Sequence, residues 1–160
     1  MKQIALLAAA LVAIPLAAAA QTGAVTARPG ATSVGLTPEQ IVAARQAAYG
    51  LSGADFALMK AAAESGGDVR QLLFPARQMQ RWARTLPSMF PAGTNLPTSR
   101  ALPTVWSDRA GFEARAAAYF AAIQALAQAA QSGDRAAFLT QWAAARATCS
   151  ACHDTYKSAN

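Results

Sequence analysis

Apolar and polar positions along this chain recur at intervals of three and four, and no stretch alternates as a half-buried strand would. The first such run opens at Thr37-Pro38-Glu39-Gln40. It combines a capping hydroxyl, a proline at the first helical position and a glutamine at the third, which is the sequence form of a capping box. A helix is predicted from there to about Ser65, with Ile41, Ala44, Ala48, Leu58, Met59 and Ala62 as its apolar positions and a stop at Gly66-Gly67. Gly50 and Gly53 each weaken its middle by about 1 kcal/mol relative to alanine, so a bend or close packing is expected there.

Asp68 caps a second predicted helix that reaches about Leu86, with Leu72, Leu73, Ala76, Met79, Ala83 and Leu86 facing inward. Pro75 lies inside it, which predicts a kink near Gln71 to Phe74 or a break into two pieces. Pro87, Pro91, Pro97 and Pro103 mark one long crossover loop. The third helix is predicted from Trp106 or Ser107 to about Gln131, with Phe112, Ala116, Tyr119, Phe120, Ile123, Ala127 and Ala130 on its inner face. Asp134 caps the fourth, whose inner residues are Phe138, Trp142, Ala145, Cys149, Cys152 and Tyr156. Four helices joined by two short turns and one long loop give an all-α chain, an antiparallel four-helix bundle.

The fourth helix carries the chemistry, Cys149-Ser150-Ala151-Cys152-His153 followed by Asp154, Thr155, Tyr156 and Lys157. Positions i, i+3, i+4 and i+7 share a helix face, so both thiols, the imidazole and the Tyr156 phenol point the same way. This Cys-x-x-Cys-His spacing reads as covalent attachment of one haem c. The thiols add across two vinyl groups on one porphyrin edge, and His153 takes the iron from below. Three rivals use the same residues. A thioredoxin-like pair needs a strand before the first cysteine, whereas an alanine-rich helical pattern leads into Cys149. A zinc site needs a fourth ligand, and the chain has only two cysteines and one histidine. Incidental buried cysteines beside a satisfied histidine are the third.

Residues 1–20 read as a signal peptide, with Lys2 before an apolar run from Ile4 to about Leu16 and a small-residue cleavage site after Ala20. An uncleaved anchor is the alternative. Residues 21–36 mix Gly, Pro and small residues without a period and read as a flexible leader, leaving residues 37–160 as one domain. Export implies the periplasm, where haem is joined to thiols, and no membrane association after cleavage. The formal charge is +6, or about +5 once Lys2 is removed, and the arginines are spread along the chain. Nucleic-acid binding is therefore not indicated, although acidic partners are mildly favoured. Aromatic residues make up only 8% of the chain, so a buried porphyrin would supply much of the apolar bulk of the core.

Together these features resemble the cytochrome c-prime family, the class II c-type cytochromes, over about residues 37 to 157. Arg45-Gln46 resembles the family's Arg-Gln pair, Pro103 to Asp108 the stretch that opens its third helix, and Cys149 to Lys157 its haem segment. The resemblance implies that Arg45 approaches a haem propionate and that Lys157 is a basic group beside the proximal histidine. It also implies that Tyr49, one turn after Arg45, faces the distal side of the iron, where low-spin relatives place methionine. A neutral phenol would shield that side rather than ligate it; ordinary amphipathic packing of Tyr49 is the blander reading. Met59, Met79 and Met89 are the remaining thioethers, with Met59 the first to consider as a hidden ligand.

Two functions stay open. One is a redox-active haem protein with five-coordinate iron that binds the small gases nitric oxide and carbon monoxide. The alternative is a low-spin, six-coordinate cytochrome that passes electrons between periplasmic redox partners. An enzyme is the weakest option, since no second histidine can serve as a distal acid or base. Homodimers are usual in the family, and the Ala-rich helices could pack against a copy.

Overall fold

The computed structural model describes residues 35–159. The expected signal peptide and nearly all of the expected leader lie outside the described residues. Gly35 and Leu36 precede the first helix without regular structure. The described chain forms α1 (Pro38–Glu64), α2 (Leu73–Thr85), α3 (Thr104–Ser107), α4 (Arg109–Ser132) and α5 (Arg135–Tyr156), with 3-10 turns at Val69–Leu72 and Leu86–Met89. The four long helices make the bundle and α3 is a single turn ahead of α4. Among the described residues there is no strand, only an isolated bridge between Ala101 and Lys157.

α4 is the spine. Its Phe112, Ala116, Tyr119, Ile123, Leu126, Ala127, Ala129 and Ala130 are buried, and it packs along both α2 and α5. The predicted inner face holds, with Leu126 and Ala129 added. α5 buries Phe138, Ala145 and Tyr156, and α2 buries Ala76, Met79 and Ala83.

α1 differs from the sequence reading in its face. Its capping box forms: the Thr37 N–H donates to Gln40 Oε1 (2.9 Å) and the Gln40 N–H to Thr37 Oγ1 (3.3 Å). Yet the buried positions are Val42, Arg45, Phe56, Met59 and Ala63, whereas Ala44 is exposed and Leu58 is 67% exposed. An alanine-rich helix presents apolar carbon on more than one side, so periodicity alone does not choose the inner face. The outer stripe Ala44, Ala47, Leu51, Ala54 and Leu58 is exposed throughout. α1 also runs unbroken through Gly50 and Gly53. A Cβ at either would meet no atom within 4 Å, so close packing does not account for them.

Two other boundaries are corrected. Leu73 begins α2, so Pro75 falls in its first turn, where the missing N–H costs no helical bond. Of the two alternatives for the second helix, the chain takes the break, switching from 3-10 to α at Leu72–Leu73. The third helix begins at Arg109, later than predicted, because Asp108 (φ −117°, ψ 57°) leaves helical geometry and its carboxylate accepts from the Gly111 N–H at 3.2 Å. Its other oxygen takes the Tyr156 hydroxyl at 2.6 Å. A Cβ on Gly111 would collide with both of these side chains, so glycine here permits α4 and the end of α5 to close on each other.

The crossover loop is tied down along its length. Arg109 donates to Phe90 O (3.0 Å) and Pro87 O (2.8 Å), and the Trp106 indole to Pro91 O (3.0 Å). Its far end is zipped to the end of α5: the Leu102 N–H donates to Tyr156 O and the Ser158 N–H to Arg100 O. The Thr104 hydroxyl donates to Thr155 O at 2.8 Å.

Candidate functional site

Cys149, Cys152 and His153 lie on α5 where the helix walls two adjoining cavities of about 580 and 400 Å³. The larger is lined by both cysteines and by apolar groups that include Phe56, Met79, Leu86, Ala116, Tyr119 and Trp142. At one end Phe56 and Trp142 stack, with centroids 4.4 Å apart and planes 15° from parallel. The smaller is bounded by Arg45, Gln46, Ser99, Arg100, Tyr156 and Lys157 among others, and it reaches Cys152 but not Cys149. Tyr49, Cys152 and His153 line both.

The two thiols are unpaired and half-buried. Burial pushes both above the usual thiol range, with nearby Arg146 opposing it at Cys149 and Arg115 at Cys152. They are therefore neutral thiols near pH 7, not activated thiolates. His153 is exposed and held below its usual pKa, first by desolvation and then by the charges of Lys157 and Arg100. That favours the neutral imidazole a metal needs. No cluster of three or more His, Cys, Asp or Glu side chains that could hold a metal occurs among the described residues. Two thiols and one imidazole beside an apolar space suit a porphyrin that brings its own four nitrogens.

Tyr49 stands on α1 and lines both cavities with Cys152 and His153. It meets Trp82 edge to face, with centroids 5.2 Å apart, and the remaining 37% of its surface belongs to a residue that lines both cavities. Desolvation, then the neighbouring Cys152 and Tyr119, raise its pKa well beyond the ordinary phenol value against the pull of Arg45. Tyr119, also on the larger cavity, is raised for the same first reason. Of the methionines among the described residues, Met59 is buried in the core and lines neither cavity, and Met79 is the one on a cavity wall.

Arg45 borders the smaller cavity but is only 2% exposed. Its Nη1 donates to Met89 O (3.0 Å) and Thr94 Oγ1 (2.8 Å), and its Nη2 to Thr94 O (2.9 Å) and Ser99 Oγ (2.7 Å). Its guanidinium also sits 4.2 Å from the Phe90 ring centre. The sequence placed this residue at the site without revealing that it clamps the crossover loop. Lys157 is brought to the same cavity by the bridge with Ala101. Arg100 arrives with it, and the sequence reading missed it because only the folded loop carries it to α5.

Comparison with known proteins agrees with this geometry. The family model for cytochrome c' matches residues 40–157. The cytochrome c' of Pararhodospirillum photometricum is 40% identical over 74 residues, 46% of this chain and 59% of that protein, so the match spans well under two thirds of the relative. A solved cytochrome c' described by an unusual ligand-controlled dimer dissociation superposes with a TM-score of 0.74 at 25% identity, covering 79% of this chain and all of that one. A nitric oxide complex of a variant cytochrome c prime from Alcaligenes xylosoxidans does so with 0.73 at 27% identity and the same coverage.

Proposed function

The chain belongs to the cytochrome c' family, and from that premise we propose that it is a periplasmic haem protein whose iron is five-coordinate and takes nitric oxide or carbon monoxide on the side of Tyr49. The family's cofactor is covalent haem c, and the donor set fits it. Cys149 and Cys152 would anchor the macrocycle to α5 and His153 would hold the iron. When bound, haem supplies one-electron chemistry and an axial position for a small ligand.

The observation that carries the reading is that Tyr49 and His153 line the same two cavities. Its raised pKa keeps the phenol protonated, and a neutral phenol is a poor iron ligand, so it occupies the approach without closing it. Lys157 and Arg100 hold positive charge beside His153. The single histidine is committed to the iron, which supports a binding and redox role over an enzyme. The electron-carrier reading draws support from Met79, which lies on the wall of the larger cavity and is the thioether available to close the sixth position. Absorption spectra of the reduced, haem-loaded protein with and without carbon monoxide separate the two. A high-spin Soret band that shifts on adding the gas fits the proposal, and a low-spin spectrum indifferent to it overturns it.

We read a second copy of the chain as the partner of the exposed stripe on α1, where Leu51 and Leu58 are 70% and 67% exposed and two turns apart. A related cytochrome c' is named for the dissociation of its dimer.

A further inference from the structure

From Val69 to Ser107 the chain contains no aspartate or glutamate, yet it carries Arg70, Arg77, Arg81, Arg84 and Arg100. The acids at its two borders are engaged locally: Asp68 accepts from the Arg70 N–H, and Asp108 from the Gly111 N–H and the Tyr156 hydroxyl. Within this stretch α2 presents Phe74, Arg77, Arg81 and Arg84 at i, i+3, i+7 and i+10, one face of a helix over about 15 Å. All four are exposed, and Phe74 keeps 71% of its surface.

Other arginines are spent inside the fold: Arg45, Arg70, Arg109 and Arg135 each donate to backbone carbonyls. The ion pairs among the described residues are Lys60–Glu64, Arg70–Asp68 and Arg109–Glu113, so Arg77, Arg81 and Arg84 enter none of them. Arg84 has a local use, since its guanidinium lies 5.3 Å from the Phe120 ring centre and it stands in the last turn of α2, where the helix dipole favours a cation. Neither use extends to Arg77 or Arg81. The other side of the same segment, through Met79 and Leu86, walls the larger cavity. The arginine row therefore stands outside that cavity across a helix about 10–12 Å thick.

Three kinds of occupant could meet a cationic row with one exposed ring. A bilayer binds an amphipathic helix through its apolar face, and α2 has already committed that face, Ala76, Met79 and Ala83, to the core. A second copy paired about this row would bring arginine against arginine, on a chain of formal charge +6. An acidic protein matches the charge, and arginine with an aromatic anchor is the composition of interface centres.

We propose that the outer face of α2 docks an acidic one-electron carrier protein, with Phe74 as the apolar anchor and Arg77, Arg81 and Arg84 as the row that binds its carboxylates. The electron exchange, though not the docking, rests on the haem reading: one electron passes from the reduced carrier to ferric iron, and no bond is made or broken. The test uses a flavodoxin, an acidic flavoprotein, mixed as its semiquinone with the ferric haem-loaded protein in stopped flow. The second-order rate of haem reduction should be high at low ionic strength and fall as salt rises. Arg77→Gln, Arg81→Gln and Arg84→Gln together should slow it about tenfold or more at low salt and flatten the salt dependence. Phe74→Ala should weaken binding of the oxidised flavodoxin by about fivefold or more. The control is Ala136→Glu with Ala143→Glu and Ala147→Glu on the exposed face of α5, which lowers the net charge equally at another place. Equal slowing by both sets, or no slowing by the arginine set, overturns the proposal. So does a flavodoxin rate indifferent to the arginine set when that set abolishes binding to phosphatidylglycerol vesicles or takes a dimer apart, since the row would then serve a membrane or a copy. Failure of the haem reading looks different: the exported wild-type protein would carry no covalent haem, while titration with oxidised flavodoxin would still report the docking.

Discussion

Replacing Arg45 with leucine is the sharpest test of how the site is held, because it removes a buried charge whose partners are all known. Two of the four acceptors keep another partner: Thr94 Oγ1 bonds Pro91 O at 2.9 Å, and Ser99 Oγ takes the Ala101 N–H. The other two, Met89 O and Thr94 O, lose the bonds that Arg45 gives them. An acceptor stranded in this way costs about 1–3 kcal/mol, and the lost contact with the Phe90 ring adds about 1 kcal/mol. With Arg45 only 2% exposed, solvent screening offers little relief, so the expected loss is about 3–7 kcal/mol. For a urea dependence of about 1–3 kcal/mol per molar, the unfolding midpoint of the haem-loaded protein should fall by about 2 M. Hydrogen exchange should localise the damage, since the Leu102 and Ser158 amides zip the loop to the end of α5 and should lose protection. A midpoint lowered by less than about 0.5 M, or a large loss with those two amides still protected, would refute the clamp. Arg45→Lys should fall between, because an ammonium cannot serve four acceptors in one plane.

Tyr49→Met should put a thioether where the phenol stands, shift the iron toward six-coordinate low spin and weaken carbon monoxide binding, whereas Tyr49→Ala should speed gas binding in flash photolysis; unchanged spectra in both variants would remove Tyr49 from the distal side. Stability should decline at alkaline pH. Tyr49, Tyr119 and Tyr156 are all raised, the last chiefly by its bond to Asp108, so the folded chain keeps protons that the unfolded chain loses from about pH 10. Urea midpoints should thus drop as pH rises through that value, less steeply in Tyr119→Phe. Leu51→Glu with Leu58→Glu should convert a dimer to a monomer in light scattering with the haem spectrum unchanged; a wild-type protein already monomeric at high concentration would end that reading.

What the sequence determined by itself is whatever depends on neighbours along the chain. Thr37, Asp68 and Asp134 start helical segments where predicted, because a cap needs only a hydroxyl or carboxylate two or three residues ahead of the N–H it satisfies. The placing of Cys149, Cys152 and His153 on one helix wall follows likewise from the 3.6-residue repeat. Tertiary structure decided the rest. Which face of α1 turns inward was ambiguous in an alanine-rich helix and was settled by where Arg45, Phe56 and Met59 found partners. Met79 rather than Met59 reaches the cavity because of how α2 packs on its neighbours, which no periodicity reports. Arg45 is the plainest case. Its acceptors on Met89, Thr94 and Ser99 lie 44 to 54 positions away in the sequence, and only the folding of the crossover loop onto α1 brings them to it.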